Sequence, residues 1–135
     1  MKVAIDGKGI LQGATLLETA TRKPKCYRFG SIPYALPPTG ERRWRKPQPL
    51  PRNFLYGTPQ NPGIFTKPSS PCPQLPDFGV KSPDEDCLKC NIWVPIEKPP
   101  KGGWPVLFWI RKSPERYTKQ ELMIDRWWLS AIWVQ

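Results

Sequence analysis

Leu88-Lys89-Cys90-Asn91-Ile92-Trp93-Val94 and, beyond a proline-bounded loop, Val106-Leu107-Phe108-Trp109-Ile110 are the segments whose reading decides the fold. In an extended chain the first segment puts Leu88, Cys90, Ile92 and Val94 on one face. Lys89, Asn91 and Trp93 fall on the other, which is the alternation of a strand. The second segment is a continuous apolar run, the pattern of a strand covered on both faces in the middle of a sheet. Such a strand needs neighbours on both edges. The rest of the sequence offers too few strands to surround it, so the expectation is an incomplete sheet.

Working outward toward the N-terminus, Arg45 to Pro83 has no sustained period of 2 or 3.6 and reads as proline-punctuated coil. Before it, Cys26 to Phe29 reads as a short strand leading through Ile32-Pro33-Tyr34-Ala35 into the turn Pro37-Pro38-Thr39-Gly40. The chain starts as a hairpin: Val3 and Ile5 alternate with polar neighbours, Asp6-Gly7-Lys8-Gly9 is turn chemistry, and Ile10 to Gly13 resumes in extended form. Ala14 to Thr21 is expected to continue as strand and loop. Toward the C-terminus the character changes after Ile110. Residues 111–119 are charged and polar, and residues 120–134 are read as a possible helix, although Trp127 and Trp128 cannot share one helix face.

Composition agrees with a loop-rich, β-biased chain. Nineteen prolines and ten glycines stand in 135 residues, and closely spaced prolines remove backbone donors and forbid helix interiors. Seven tryptophans and a 39% hydrophobic share argue against plain disorder. The formal charge of +10 raises an anionic partner, nucleic acid or a membrane surface, as an alternative. Its one tight cluster is Arg42, Arg43, Arg45 and Lys46 around Trp44, with no nucleic-acid motif about it. No apolar run approaches the roughly 18–20 residues of a membrane span. No signal-peptide pattern opens the chain, so the default expectation is cytoplasmic.

Four cysteines, Cys26, Cys72, Cys87 and Cys90, are too few for a disulfide scaffold and compatible with one bridge. Cys87-Leu88-Lys89-Cys90 has the C-x-x-C spacing of half a zinc site or a redox pair. On an extended strand, however, residues three apart face opposite ways and lie about 10 Å apart. Asp84, Glu85 and Asp86 read as a structural acidic loop rather than a catalytic or metal cluster. No metal or cofactor is expected.

Five segments in order resemble the type-B carboxylesterase and lipase family. Phe29-Gly30-Ser31-Ile32-Pro33-Tyr34-Ala35 with Pro37-Pro38, Gly40 and Arg42-Arg43-Trp44 is similar to a family stretch of the same design. Pro71-Cys72-Pro73-Gln74 resembles its Cys-x-Gln element. Glu85-Asp86-Cys87-Leu88-Lys89-Cys90-Asn91 resembles the Glu-Asp-Cys-Leu-Tyr-Leu-Asn signature, departing at Lys89 and Cys90. Residues 91–95 and 105–110 look like its next two strands. The resemblance implies an α/β class, namely the N-terminal fragment of an α/β-hydrolase fold, built mostly of short strands and proline-rich loops. It divides the chain into a partial carboxylesterase domain at 1–110 and an unrelated basic, Trp-rich tail at 111–135. It also implies a structural disulfide between Cys72 and Cys87 and a structural salt bridge between Arg43 and Glu85. Asp86 would meet an arginine far along a longer chain, and Lys89 and Cys90 leave the packing of their strand in question.

Ester hydrolysis needs an activated nucleophile, a base and oxyanion donors. In the family, the strand matching Val106–Ile110 runs into His-Gly-Gly, whose backbone N–H groups meet the developing charge. Here Arg111-Lys112-Ser113-Pro114 follows, Gly102-Gly103 stands at the opposite end of the strand, no Gly-x-Ser-x-Gly occurs, and the 135 residues hold no histidine. The expectation is therefore a non-catalytic, truncated fragment with no catalytic residue, whose intact relatives hydrolyse carboxylic esters. The alternative is a basic, non-catalytic polypeptide that binds nucleic acid or an anionic membrane. Expressed alone, the fragment is expected to self-associate.

Overall fold

The Asp6–Gly9 turn folds the N-terminus back on itself in the computed structural model, which describes residues 1–74, 82–110 and 130–134. Strand β1 (Lys2–Ile5) lies antiparallel to β2 (Gly9–Leu17), with Val3 opposite Leu11. Gly7 and Gly9 take the positive φ values of 64° and 88° that this turn demands, where a side chain would be strained. The far half of β2 pairs antiparallel with β3 (Pro24–Pro33), longer than the strand expected from Cys26 to Phe29.

The long coil is not featureless. Gly63–Phe65 forms β4, parallel to β2. Around it, the Lys8 ammonium donates to the Arg52 carbonyl at 2.9 Å and the Ile10 N–H to the Gly57 carbonyl at 3.2 Å. Phe54, Tyr56 and Phe65 stack edge-to-face, and the Tyr56 hydroxyl donates to the Pro33 carbonyl at 3.0 Å. Half-buried aromatic contacts, together with the β4–β2 pairing, hold this coil to the sheet.

The remaining strands are β5 (Lys89–Pro95), β6 (Val106–Ile110) and β7 (Ser130–Val134). The sheet runs β1-β2-β3-β5-β7-β6, with β4 attached to β2. Strand β5 is antiparallel to both β3 and β7, whereas β6 and β7 are parallel. Two expectations are corrected here. The helix drawn over 120–134 gives way at its end to β7, because two open edges, on β5 and β6, accept a β-branched and aromatic segment there; residues 120–129 lie outside those described. The strand covered on both faces is β5 and not β6. Cys90, Asn91 and Trp93 are all buried, while Val106, Leu107, Phe108 and Trp109 are 61, 42, 54 and 42% exposed. Position in the sheet decides the matter: β5 lies between two strands and β6 lies at the edge.

The core gathers Leu11, Phe29, Ile32 and Cys90, with Val3, Tyr27, Tyr56, Phe65, Ile92 and Val94 packed around them. Leu11, on β2, is only 2% exposed. The residues that alternation assigned to one face of β5, Cys90, Ile92 and Val94, point into this cluster.

Candidate functional site

The entrance to β5 concentrates the residues that the sequence singled out. The chain enters it through Asp84, whose N–H donates to the Pro71 carbonyl at 3.0 Å and whose carboxylate accepts the Asp86 N–H at 2.9 Å. This Asx-type turn holds the three acidic residues in fixed and different directions. Glu85 faces the 36–48 loop and meets the Arg43 guanidinium at 3.0 Å. Asp86 turns toward the sheet and meets the Lys89 ammonium at 2.9 Å. Cys87 is bonded to Cys72, with their Cα atoms 5.1 Å apart across 15 positions.

These braces differ in strength. The Arg43 and Glu85 side chains are 56 and 37% exposed, so water screens the pair and its worth is under about 1 kcal/mol. The disulfide restricts the unfolded chain, and a loop of this length is worth roughly 3 kcal/mol. The bridge is the main brace and the ion pair an orienting contact. Lys89, which departs from the family signature, supplies Asp86 with a local partner three residues away, and the other departure, Cys90, fills the core. Both substitutions are thus accommodated.

A fourth brace was not anticipated. Asn91 is fully buried, and its side-chain carbonyl accepts the Ser31 N–H at 3.1 Å. Ser31 belongs to a bulge where the β3–β5 register shifts between Phe29 and Ile32. It takes φ 64°, and its hydroxyl donates to the Lys67 carbonyl at 3.1 Å. Gly30 beside it has no room for a Cβ, which would collide with that same Lys67 carbonyl. Asn91 thus satisfies a backbone donor that the bulge has removed from the ladder. A polar residue facing away from an apolar strand face at a Gly-Ser step was the available signal.

The four cysteines divide between one bridge and the core. Cys87 is committed to Cys72, so it does not pair with Cys90, and Cys26 and Cys90 are free and buried. Burial raises both thiols above their ordinary range; nearby Lys25 and Arg28 oppose this at Cys26. Neither is the lowered-pKa thiolate of a nucleophile. Gly102 and Gly103, with φ of 102° and 90°, form the turn into β6, where the Gly103 N–H donates to the Pro100 carbonyl at 2.9 Å. They sit at the end of the strand away from Arg111. Among the described residues no group of three or more His, Cys, Asp or Glu side chains is placed to hold a metal ion, and no helix is long and apolar enough to cross a membrane.

This sheet and its braces define a portion of the α/β-hydrolase fold. The juvenile hormone esterase of Manduca sexta superposes with a TM-score of 0.69 at 22% identity, covering 99% of this chain and 26% of that one. The family model described as the carboxylesterase family matches residues 1–123, and the chain belongs to that family. A carboxylic ester hydrolase of Gibberella moniliformis is 46% identical over 105 residues, 76% of this chain and 19% of that relative. An uncharacterized esterase/lipase of Schizosaccharomyces pombe is 42% identical over 117 residues, 78% of this chain and 20% of its own length. The chain therefore spans about a fifth of the length of these curated relatives.

Proposed function

We propose that these 135 residues form a non-catalytic part of a carboxylic-ester hydrolase: they build and brace the N-terminal edge of its sheet and cleave no ester themselves. The family match runs past β6 to residue 123, so the change of sequence character after Ile110 falls inside it, and the last strand, Ser130–Val134, joins the sheet. One observation carries the reading. The strand β6, whose far end would meet oxyanion glycines, is followed by Arg111-Lys112-Ser113-Pro114 in a sequence without histidine. Without a base the serine hydroxyls stay protonated, and without aimed backbone donors a tetrahedral oxyanion is left to water. The buried thiols offer no substitute. Purified chain is expected to hydrolyse p-nitrophenyl acetate no faster than an equal mass of unrelated protein and to take up no fluorophosphonate label. Turnover abolished by that reagent would refute the proposal.

A further inference from the structure

The braces around Glu85 also fix a loop that the esterase reading does not use. Its base is closed where the Leu36 N–H donates to the Gln48 carbonyl at 2.8 Å and Ala35 bridges to Pro49. Within it, a single 3-10 turn spans Gly40–Arg42. The Arg43 N–H donates to the Gly40 carbonyl at 3.0 Å, the Arg45 N–H to the Arg42 carbonyl at 3.1 Å, and Arg42 Nε to the Pro37 carbonyl at 2.7 Å. At the tip stands Trp44, 92% exposed and at φ 61°, a backbone region that bulky residues avoid. Tryptophan is highly buried on average; here an anchored loop holds it out in water.

Its surroundings are cationic. The Arg43 guanidinium lies 5.7 Å from the Trp44 ring centroid while pairing with Glu85, so its charge is largely answered. Arg42, Arg45 and Lys46 line, with Glu41 and the 47–49 segment, an open groove of about 550 Å³ beside the tip. Three cations and one carboxylate therefore line the groove, within three residues in sequence of an exposed amphipathic ring. Indole rings favour the level of lipid headgroups, and basic residues beside them draw the surface to anionic lipid. Nucleic acid would answer the charge equally, but the tip offers one ring and no track of alternating rings and cations along which a strand could stack.

We propose that the loop 36–48 docks this chain on an anionic bilayer surface, with Trp44 seated at the headgroup level and Arg42, Arg45 and Lys46 facing anionic lipid. Vesicle flotation tests this with the full 135-residue chain, because lipid-bound protein rises while self-associated protein sinks. Wild type is expected to float with phosphatidylcholine vesicles containing 30% phosphatidylserine and to be released by about 0.5 M NaCl, where the Debye length falls well below its low-salt value. Trp44→Ser and the pair Arg45→Glu/Lys46→Glu should each lower the bound fraction at least about tenfold. Arg45→Lys should retain binding, and so should Leu107→Ser/Phe108→Ser, which alters the other exposed apolar surface. Circular dichroism confirms that the variants keep the wild-type strand content. Equal flotation with pure phosphatidylcholine, undiminished flotation of the charge-reversed pair, or loss in the Leu107/Phe108 variant alone would overturn the proposal. So would salt-sensitive binding to DNA through Trp44 without flotation.

Discussion

Asn91 and Ser31 are sixty positions apart in sequence, yet each explains the other. The bulge in β3 turns the Ser31 N–H out of the strand ladder, and the Asn91 side-chain Oδ1 is the group that receives it. Asn91→Ala would leave a donor without its partner in the interior, a loss of about 1–3 kcal/mol, read as a lower urea midpoint with an unchanged slope. The disulfide acts through the other side of the equilibrium. Replacing Cys72 and Cys87 together by serine should remove roughly 3 kcal/mol by freeing the unfolded chain. The same loss should follow from dithiothreitol on wild type, and reductant should do nothing further to the double variant. By contrast, Glu85→Gln should cost under about 1 kcal/mol, since its partner Arg43 is more than half exposed and water takes up the freed charge.

At the scale of elements, the order of exposed and buried faces separates what the sequence made legible from what it did not. The β1–β2 hairpin was readable because Asp6-Gly7-Lys8-Gly9 can do little but turn. Strand β5 was readable by alternation, although the alternating pattern concealed that its second face is covered as well. The burial of β6 was misjudged because a continuous apolar run reports what a strand can tolerate, while the sheet order determines what it receives. Strand β4 was invisible: three residues have no period, and their pairing with β2 is made across fifty positions. The exposure of β6 has a consequence. Residues 106–109 present an apolar edge without lysine, proline or bulge, the devices that keep edges from pairing with other chains. Leu107→Lys is expected to shift the chain toward monomer in sedimentation velocity, and unchanged association would place the sticky surface elsewhere.

At the scale of the whole molecule, a thin core faces a large apolar surface. Eight apolar residues are buried among the described residues, while eleven large ones are exposed, more than scattered single exposures account for. A net charge of +10 opposes association at low salt and does so less as salt rises. What closes the sheet against this imbalance is β7. It inserts between β5 and β6, and Val134 lies opposite Cys90. Because β6 has no other strand partner among the described residues, removing β7 detaches one edge of the sheet and uncovers the flank of β5. A chain ending at residue 129 should therefore expose Cys90, whose thiol is now buried in the core cluster. Cys26 serves as an internal control, since it sits on β3 opposite Leu16 and Pro95, away from β7. The expected result, followed by mass spectrometry after brief iodoacetamide treatment, is rapid labelling of Cys90 with Cys26 still protected. Equal labelling of both thiols would mean that β7 is required for the entire fold. Protection of both would mean that β5 keeps its cover without β7, and that the parallel pair β6–β7 does not close the sheet.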